Sequence, residues 1–292
     1  MKIALYGRPF SSDCKKNITA FFHTLEENKT ELYIFASFLE FLKRDAGITP
    51  SISGTFESHD DIPDDIQLMF SMGGDGTFLK SVSIVQDSGI PIAGINTGKL
   101  GFLANIPHEN IASSIPAILH GHYSIEQRTL IRLELSEGSL SDFSCALNEV
   151  SIQKRYSSMI TIHTYLNDVL LNSYWADGLI ISTPTGSTAY SMSVGGPIVT
   201  PDSNNFIISP LAPHNLTVRP VIVPDHNIIR LKVDSRDSCF ILSLDSRSEI
   251  FDSNIEILIR RADFTVKTIR TEGNTFYDNL RNKLLWGLDR RN

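Results

Sequence analysis

A glycine-rich segment that contains one carboxylate is the clearest candidate for chemistry in this chain. The apolar run at 69–72 leads into the sequence Gly-Gly-Asp-Gly-Thr at positions 73–77, and a helical pattern follows. Glycines let the backbone turn tightly and bring its N–H groups close to an anion, and the positive end of a helix dipole attracts the same charge. The segment therefore predicts a phosphate-binding loop, formed by Gly73, Gly74, Gly76 and Thr77.

Asp75 is unexpected in a loop that only binds phosphate. A carboxylate about 4 Å from a phosphate charge costs roughly 1 kcal/mol in water and about 4 kcal/mol at a surface-like dielectric. Its presence fits a group that accepts a proton from an attacking hydroxyl, that organises a magnesium ion between phosphate oxygens, or that does both. The structural alternative is a tight strand-to-helix turn in which Asp75 is the N-cap of the helix. The loop is not a P-loop, because no Gly-Lys-Ser/Thr sequence closes it.

The composition of the chain sets limits on its class. With 292 residues and ordinary apolar and charged fractions, the chain has room for two domains. The net charge of -7 argues against a nucleic-acid partner, since binding a phosphate backbone requires a basic face. Cys14, Cys145 and Cys239 are far apart, which predicts neither a disulfide framework nor a zinc site. We expect a cytoplasmic protein without a membrane partner, because no signal peptide or bilayer-length apolar run is present.

Residues 1–122 alternate between strand-like and helix-like patterns. Strands are predicted at 2–6, at the start of 31–43, at 67–72 and at 90–95, and helices at 13–27, in the later part of 31–43 and at 77–86. This alternation is typical of an open parallel α/β sheet. Ligands bind beyond the carboxyl ends of the strands in such sheets, so the Gly73 loop and the turn at Asn96 are both expected at that edge.

The pattern changes at about residue 123. Short runs of alternating apolar and polar residues occur at 131–135, 160–165, 228–233 and 255–259. They predict that residues 123–274 form a β-rich domain of antiparallel sheets packed face to face. Helical spacing returns at 277–286, and the segment 275–292 is expected to pack back on the first domain.

A second polar cluster follows the apolar run at 178–181. Hydroxyl side chains and glycines are frequent from 182 to 197, where Pro184 delays a helix and Gly186 permits an unusual turn. Such a loop can hydrogen-bond a polar ligand from many directions, and Tyr190 offers an aromatic face to a flat ring. The structural alternative is a surface turn rich in Ser and Thr.

Three further polar residues interrupt or border apolar runs. They are Asn148, Glu149 and Asp177. An Asn amide offers a donor and an acceptor together, which matches a purine edge, while Glu or Asp accepts hydrogen bonds from ribose hydroxyls. The alternatives for these residues are loop caps and paired surface groups.

Together and in this order, the motifs resemble the NAD kinase family. The matching segments are 73–77, 96–102, 148–149, 177–197, 219–220, 245–246 and 284–286. The glycine loop alone is shared with diacylglycerol and sphingosine kinases and, more loosely, with phosphofructokinases. The resemblance implies an amino-terminal open α/β sheet domain and a carboxy-terminal β-sandwich-like domain.

The resemblance also implies an activity. ATP would phosphorylate NAD at the 2′-hydroxyl of its adenosine ribose, giving NADP and ADP, and Asp75 would take the proton. Mg²⁺ or another divalent cation would accompany ATP, with no metal site of the protein's own. The expected assembly is a homodimer or homotetramer. Two alternatives remain at this point, a lipid kinase with the same glycine loop and a nucleotide-binding sensor without turnover.

The residues that the resemblance places around NAD fall into groups. Asp75 and Gly76 belong to the loop, and Glu149 would hold the ribose. Asn148, Thr188 and Ala189 would hold the adenine, with Phe102 against it. Asp177, Tyr190 and Ser193 would face the nicotinamide half. Asp245 and Arg247 would contact substrate as well.

Overall fold

The computed structural model describes residues 1–98, 101–273 and 275–284. The chain forms two compact units. The first contains Met1–Gln127 together with the described part of Val266–Asn292, and the second is Arg128–Thr265. None of the helices in the described ranges is long and apolar enough to cross a membrane.

The first unit begins with alternating strands and helices. Its elements are β1 (Lys2–Gly7), α1 (Lys15–Glu27), β2 (Glu31–Phe35), α2 (Ala36–Arg44), β3 (Gly54–Phe56), β4 (Leu68–Gly73), α3 (Asp75–Val85), β5 (Ile92–Asn96), β6 (Ile106–Pro107) and α4 (Ile111–Leu119), with short 3₁₀ helices at Ser12–Cys14 and His108–Asn110. The strands run parallel in the order β3-β2-β1-β4-β5, and β6 lies beside β5. The prediction of an open parallel α/β sheet is confirmed.

Helices cover both faces of this sheet. One face carries α1, α2 and α4, whose apolar side chains share one core with Ile3, Leu5 and Phe70. In α1 the buried residues are Ile18, Phe21, Phe22 and Leu25, the spacing expected of an amphipathic helix. On the other face Gly94 of β5 lies against the ring of Phe78 in α3. All six residues of β4 are buried, as expected for a central parallel strand.

Several element boundaries differ from the predicted ones. The helix after the glycine loop begins at Asp75, two residues earlier than expected, and its N-cap is Gly74 with no side-chain cap. The alternative role of Asp75 as N-cap is therefore wrong. Some elements were not predicted, among them β3, which has only three residues, β6, which has two, and α4, which contains Pro116, a residue that normally disfavours a helix interior.

The second unit consists mainly of strands. Its elements, including the strands that enter and leave it, are β7 (Ser124–Leu135), β8 (Cys145–Ala146), β9 (Glu149–Lys154), β10 (Ile160–Leu166), β11 (Val169–Ala176), β12 (Gly178–Ser182), a 3₁₀ helix (Thr185–Thr188), α5 (Tyr190–Ser193), β13 (Asn205–Leu211), β14 (Val221–Pro224), β15 (Ile229–Asp234), β16 (Cys239–Leu244), β17 (Arg247–Asp252) and β18 (Ile257–Arg270). α6 (Phe276–Leu284) then belongs to the first unit, and positions 285 and 286 of the helix predicted at 277–286 lie outside the described residues.

Two antiparallel sheets pack around one core in the second unit. One sheet has the order β14-β13-β12-β9-β16-β17, and the other contains β11-β10-β15-β18 with β7 beside β18. Buried side chains from both sheets, such as Ile152, Phe206, Ile162 and Leu231, form the shared cluster. The predicted face-to-face packing is confirmed. The last part of β18 returns to the first unit, where Thr268 pairs with Ile92 of β5.

Candidate active site

The glycine loop lies where the sheet of the first unit predicts a binding site. Strand β4 ends at Gly73 and strand β5 ends at Asn96, and these two residues pair with each other in the parallel register. The N–H of Thr97 also donates to the carbonyl of Gly73 over 3.4 Å. The two turns are thus adjacent at the carboxyl edge of the sheet, which is the position expected from the sequence.

Three backbone N–H groups hold the Asp75 carboxylate. Phe102 donates to Oδ2 over 2.7 Å, and Leu103 and Ala104 each donate to Oδ1 over 3.0 Å. An ionised carboxylate has about four lone-pair sites, so about one remains for a further donor. The side chain is therefore fixed in orientation and can still accept one proton.

Gly101 permits this arrangement because it has no side chain. A Cβ at this position would lie 1.7 Å from Oδ1 of Asp75, far inside contact distance. Any other residue at 101 would displace either the carboxylate or the segment whose N–H groups hold it. No role was predicted for Gly101, Leu103 or Ala104, and the one available signal was a glycine in the segment that follows Asn96.

The glycines of the loop differ in what surrounds them. A Cβ on Gly73 would lie 2.2 Å from the hydroxyl oxygen of Thr77, so this glycine is required by the fold. A Cβ on Gly74 or Gly76 would have no described atom within 4 Å. The backbone at these two positions is open to a ligand. The N–H groups of Thr77 and Phe78 both donate to the carbonyl of Gly74, whereas the first N–H groups of a helix, here those of Asp75 and Gly76, generally have no acceptor within it. An anion can therefore approach the start of α3 closely.

Metal ligands are sparse in the described parts of the chain. No group of three or more His, Cys, Asp or Glu side chains suited to a metal ion occurs there. Asp75 has one carboxylate, most of whose acceptor capacity is used by N–H groups.

The second unit brings the turn at Asn148 together with the Ser/Thr-rich segment. The carbonyl of Asn148 accepts from the N–H of Thr183 over 2.9 Å, and the hydroxyl of Thr183 donates to the carbonyl of Leu147 over 2.6 Å. A Cβ on Gly186 would lie 2.1 Å from the carbonyl oxygen of Asn148. Two segments far apart in sequence are thus packed backbone to backbone, and the alternative of an isolated surface turn for 182–197 is wrong.

Glu149 carries a carboxyl group in an unusual environment. Burial, and to a lesser extent the nearby Asp245, raise its pKa to about 8, while the backbone N–H of Tyr190 opposes the rise. Its Oε2 is buried and has no hydrogen-bond partner among the described residues. At neutral pH the carboxyl is largely protonated, so it can both donate and accept a hydrogen bond. An unpaired buried polar atom is costly unless a ligand provides the partner.

The side chains of Asp245 and Arg247 form hydrogen bonds with the backbone near the Asn148 turn. The Asp245 carboxylate accepts from the N–H groups of Leu147, Asn148 and Glu149 at 2.9, 2.8 and 3.2 Å. Burial nevertheless raises the pKa of Asp245. Arg247 donates to the carbonyls of Phe143 and Cys145 and to the hydroxyl of Ser141. Both residues fix the position of the segment that carries Asn148 and Glu149, and a direct contact with substrate stays a prediction.

The remaining predicted residues divide into a group near Glu149 and one apart from it. Thr188, Ala189, Tyr190 and Ser193 follow Gly186 directly, and the Tyr190 N–H reaches the Glu149 carboxyl. Asp177 precedes β12, whose opposite end pairs with Glu149 at Ser182. Ser182 is five positions after Asp177 along an extended strand, so the two residues are about 17 Å apart. Asp177 instead forms an ion pair with Lys154 at 2.6 Å.

The fold and the two groups of residues define a class of protein. An α/β unit holds a single oriented carboxylate beside an open glycine loop, and a β-sandwich unit holds a buried carboxyl beside an amide and several hydroxyls. These are the features of a two-domain phosphotransferase that acts on an alcohol.

Comparison with known proteins makes the class specific. The model of the ATP-NAD kinase N-terminal domain matches residues 19–123, and that of the ATP-NAD kinase C-terminal domain matches residues 147–271. The NAD kinase of Cytophaga hutchinsonii is 45% identical over 295 residues, with 100% of both chains covered. That of Porphyromonas gingivalis W83 is 44% identical over 287 residues, with 98% of each chain covered. The chain belongs to the NAD kinase family.

Solved structures of this family have the same fold. Yeast NADH kinase, crystallised with NADH, aligns with a TM-score of 0.86 at 23% identity, covering 99% of this chain and 89% of that one. The NAD kinase of Archaeoglobus fulgidus, solved with ATP, aligns with a TM-score of 0.73 at 25% identity, covering 97% of each chain. The arrangement of an α/β domain followed by a β-rich domain is therefore that of the family.

Proposed function

We propose that this chain is an NAD kinase that transfers the γ-phosphoryl group of ATP to the 2′-hydroxyl of the adenosine ribose of NAD. The products are NADP and ADP. The observation that carries the proposal is the Asp75 carboxylate, which three N–H groups orient beside an open glycine loop. Membership of the NAD kinase family supplies the identity of the two substrates.

Asp75 acts in this proposal as the general base. The ribose oxygen forms a bond to the γ-phosphorus, the bond from phosphorus to the bridging oxygen breaks, and its electron pair leaves with ADP. The hydroxyl proton passes to the lone pair of Asp75 that the N–H groups leave open. A positioned general base contributes about 10²- to 10⁴-fold to the rate.

The start of α3 binds the phosphates in this proposal. The backbone at Gly74 and Gly76 is open, and the dipole of the helix that begins at Asp75 favours negative charge at this end. The side chain of Thr77 packs directly against Gly73 of the loop. We assign Gly73, Gly74, Gly76 and Thr77 to this phosphate loop.

Magnesium arrives as part of the substrate, as the complex of Mg²⁺ with ATP. The described residues contain no cluster of three or more His, Cys, Asp or Glu side chains suited to a metal ion, and Mg²⁺ commonly takes its ligands from substrate phosphates and water. The protein therefore binds the phosphates, and the cation neutralises part of their charge.

The second unit binds the dinucleotide in this proposal. The carboxyl of Glu149, with an unpaired Oε2, hydrogen-bonds the ribose hydroxyls, and Asn148 holds the adenine edge. Thr188 and Ala189 complete the adenine contacts with Phe102, while Tyr190, Ser193 and Asp177 face the nicotinamide half. Asp245 and Arg247 support the Asn148 turn through the hydrogen bonds they make to its backbone and to 143–145.

Two further parts of the proposal come from the resemblance to the family. The protein assembles as a homodimer or homotetramer, which light scattering behind a size-exclusion column measures directly. It works in the cytoplasm, where ATP and NAD are found, and its three cysteines are free thiols. Monomer at all concentrations would contradict the assembly.

An assay of the purified full chain tests the proposed activity. With ATP and magnesium, we expect NADP to form from NAD, detected by an NADP-specific dehydrogenase. Phosphorylation of diacylglycerol in place of NAD would indicate a lipid kinase. Binding of NAD with no product would indicate a sensor, and either result would overturn the proposal.

A further inference from the structure

A buried ammonium group lies beside the Asp75 loop and has no role in the mechanism so far. It belongs to Lys283, near the end of α6, and its Nζ lies 3.8 Å from the centroid of the Phe102 ring. The backbone N–H of Phe102 is itself a donor to Asp75, at 2.7 Å. One residue thus contacts both the candidate base and this cation.

The environment of Lys283 is costly for a positive charge. Nζ is buried and has no hydrogen-bond partner among the described residues. Burial lowers the pKa of Lys283 to about 8, and the charge of Asp75 opposes that change. The face of the Phe102 ring compensates part of the lost hydration, since a cation is attracted to an aromatic face. An ammonium has three N–H donors, and within the described ranges none of them has a partner.

A buried cation without hydrogen-bond acceptors destabilises a fold, and the described residues supply no acceptor for Lys283. An anionic ligand would supply one. The charge of Asp75 acts on Lys283, and Phe102 contacts both side chains. Asp75 belongs to the glycine loop, where phosphate is expected to bind. Phosphate oxygens supply the acceptors and the negative charge that the ammonium lacks. The ring contact with Phe102 restricts the otherwise flexible lysine side chain.

We propose that Lys283 donates to a non-bridging oxygen of the phosphoryl group that is transferred beside Asp75. This rests on the proposed function, because it assigns a further catalytic residue to that reaction. During transfer the ribose oxygen bonds to phosphorus, the bond to ADP breaks, and the hydroxyl proton goes to Asp75. Lys283 keeps its proton throughout and stabilises the negative charge on the equatorial oxygens.

Substitutions that change the charge but preserve the size of the side chain test this role. Lys283→Met removes the ammonium and keeps an apolar chain, Lys283→Gln removes the charge and keeps a polar end, and Lys283→Arg keeps the charge. Lys16→Met is the matched control, because Lys16 is an exposed lysine on α1 of the same unit. Thermal unfolding of each full-length variant establishes that it is folded.

We expect turnover to fall in each variant that removes the positive charge at position 283. Lys283→Met and Lys283→Gln should each lower kcat for NADP formation by about 10- to 100-fold, with the KM for NAD within about twofold of wild type. Lys283→Arg should recover most of the rate, and Lys16→Met should match wild type. Equal losses in Lys283→Arg and Lys283→Met would mean that shape rather than charge matters, and would overturn the proposal.

Calorimetric titration with ATP and magnesium in the absence of NAD supplies a readout that does not require turnover. We expect both neutral variants to bind ATP about tenfold more weakly than wild type, a difference of about 1.4 kcal/mol. Unchanged ATP affinity together with unchanged kcat would overturn the role of Lys283. A wild-type protein that binds ATP through Lys283 but makes no NADP would instead refute the proposed function and leave the phosphate contact standing.

Discussion

Asp75 in the first unit and Asp245 in the second make the same hydrogen bonds in different surroundings. Each carboxylate accepts three N–H groups from three consecutive residues, 102–104 for Asp75 and 147–149 for Asp245. Asp75 stands at the start of α3 between two glycines with open space beside them. Asp245 lies beside Glu149 and Arg247, and burial raises its pKa.

The difference shows that the hydrogen-bond pattern of a carboxylate does not define its role. Three backbone donors fix the orientation of both side chains, yet only Asp75 adjoins a surface that an anion and a hydroxyl can approach. We therefore assign proton transfer to Asp75 and the positioning of the Asn148 turn to Asp245. Three substitutions test this contrast.

Asp75→Asn should have the largest effect. The amide cannot serve as a base, so kcat should fall by a factor of about 10² or more while the affinity for NAD changes little. Steady-state kinetics for kcat and calorimetric titration for NAD affinity measure the two quantities separately. Near-normal turnover in Asp75→Asn would remove the general-base assignment and the contrast with Asp245.

Asp245→Ala should mainly lower stability and raise the KM for NAD, with a smaller effect on kcat. Three N–H groups at 147–149 lose their acceptor, so the free energy of unfolding should fall by about 2 to 4 kcal/mol. The KM for NAD should rise because Asn148 and Glu149 are displaced, while kcat at saturating NAD falls less than tenfold, as expected for loss of positioning. Denaturant unfolding and steady-state kinetics measure these changes. A collapse of kcat at unchanged stability would place Asp245 in the chemistry instead.

Glu149→Gln tests the environment of the second unit, because the free energy of unfolding of the wild type and of this variant should depend differently on pH. The folded-state pKa of Glu149 is about 8, above its ordinary value of 4.5, so the folded state retains a proton that the unfolded state releases between these values. The stability that this group contributes is complete below pH 4.5 and is lost as the pH rises through 8. Each pKa unit corresponds to about 1.4 kcal/mol. Wild type should therefore lose about 3 to 4 kcal/mol relative to Glu149→Gln between pH 5 and pH 8.

Urea unfolding of both proteins at several pH values measures this difference. The charged groups in question are Glu149 and Asp245, with the Tyr190 N–H acting against the rise. A difference between the two proteins that stays constant from pH 5 to pH 8 would mean that Glu149 titrates normally. The second unit would then carry an ordinary ionised carboxylate, as the sequence alone suggests.

Local patterns predicted much of the fold and part of the site. The alternation of strand and helix, the period-two runs of the second unit and the glycine loop after β4 are all features of neighbouring residues, and the structure confirms them. The adjacency of the Gly73 and Asn96 turns also followed from the sequence, because parallel strands end at one edge of the sheet. Short or atypical elements such as β3 and α4 lack a strong periodic signal and were missed.

By itself, the sequence determined the two-domain architecture, the family and the identity of the one carboxylate in the glycine loop. Only the tertiary structure decided how Asp75 is held, what Asp245 binds and where Lys283 places its charge. Asp75 takes its donors from residues 27 to 29 positions away and Asp245 from residues 96 to 98 positions away. These donors are backbone N–H groups, which every residue except proline has, so their use leaves no trace in residue identity. Lys283 likewise acquires its role from the burial and ring contact that folding creates.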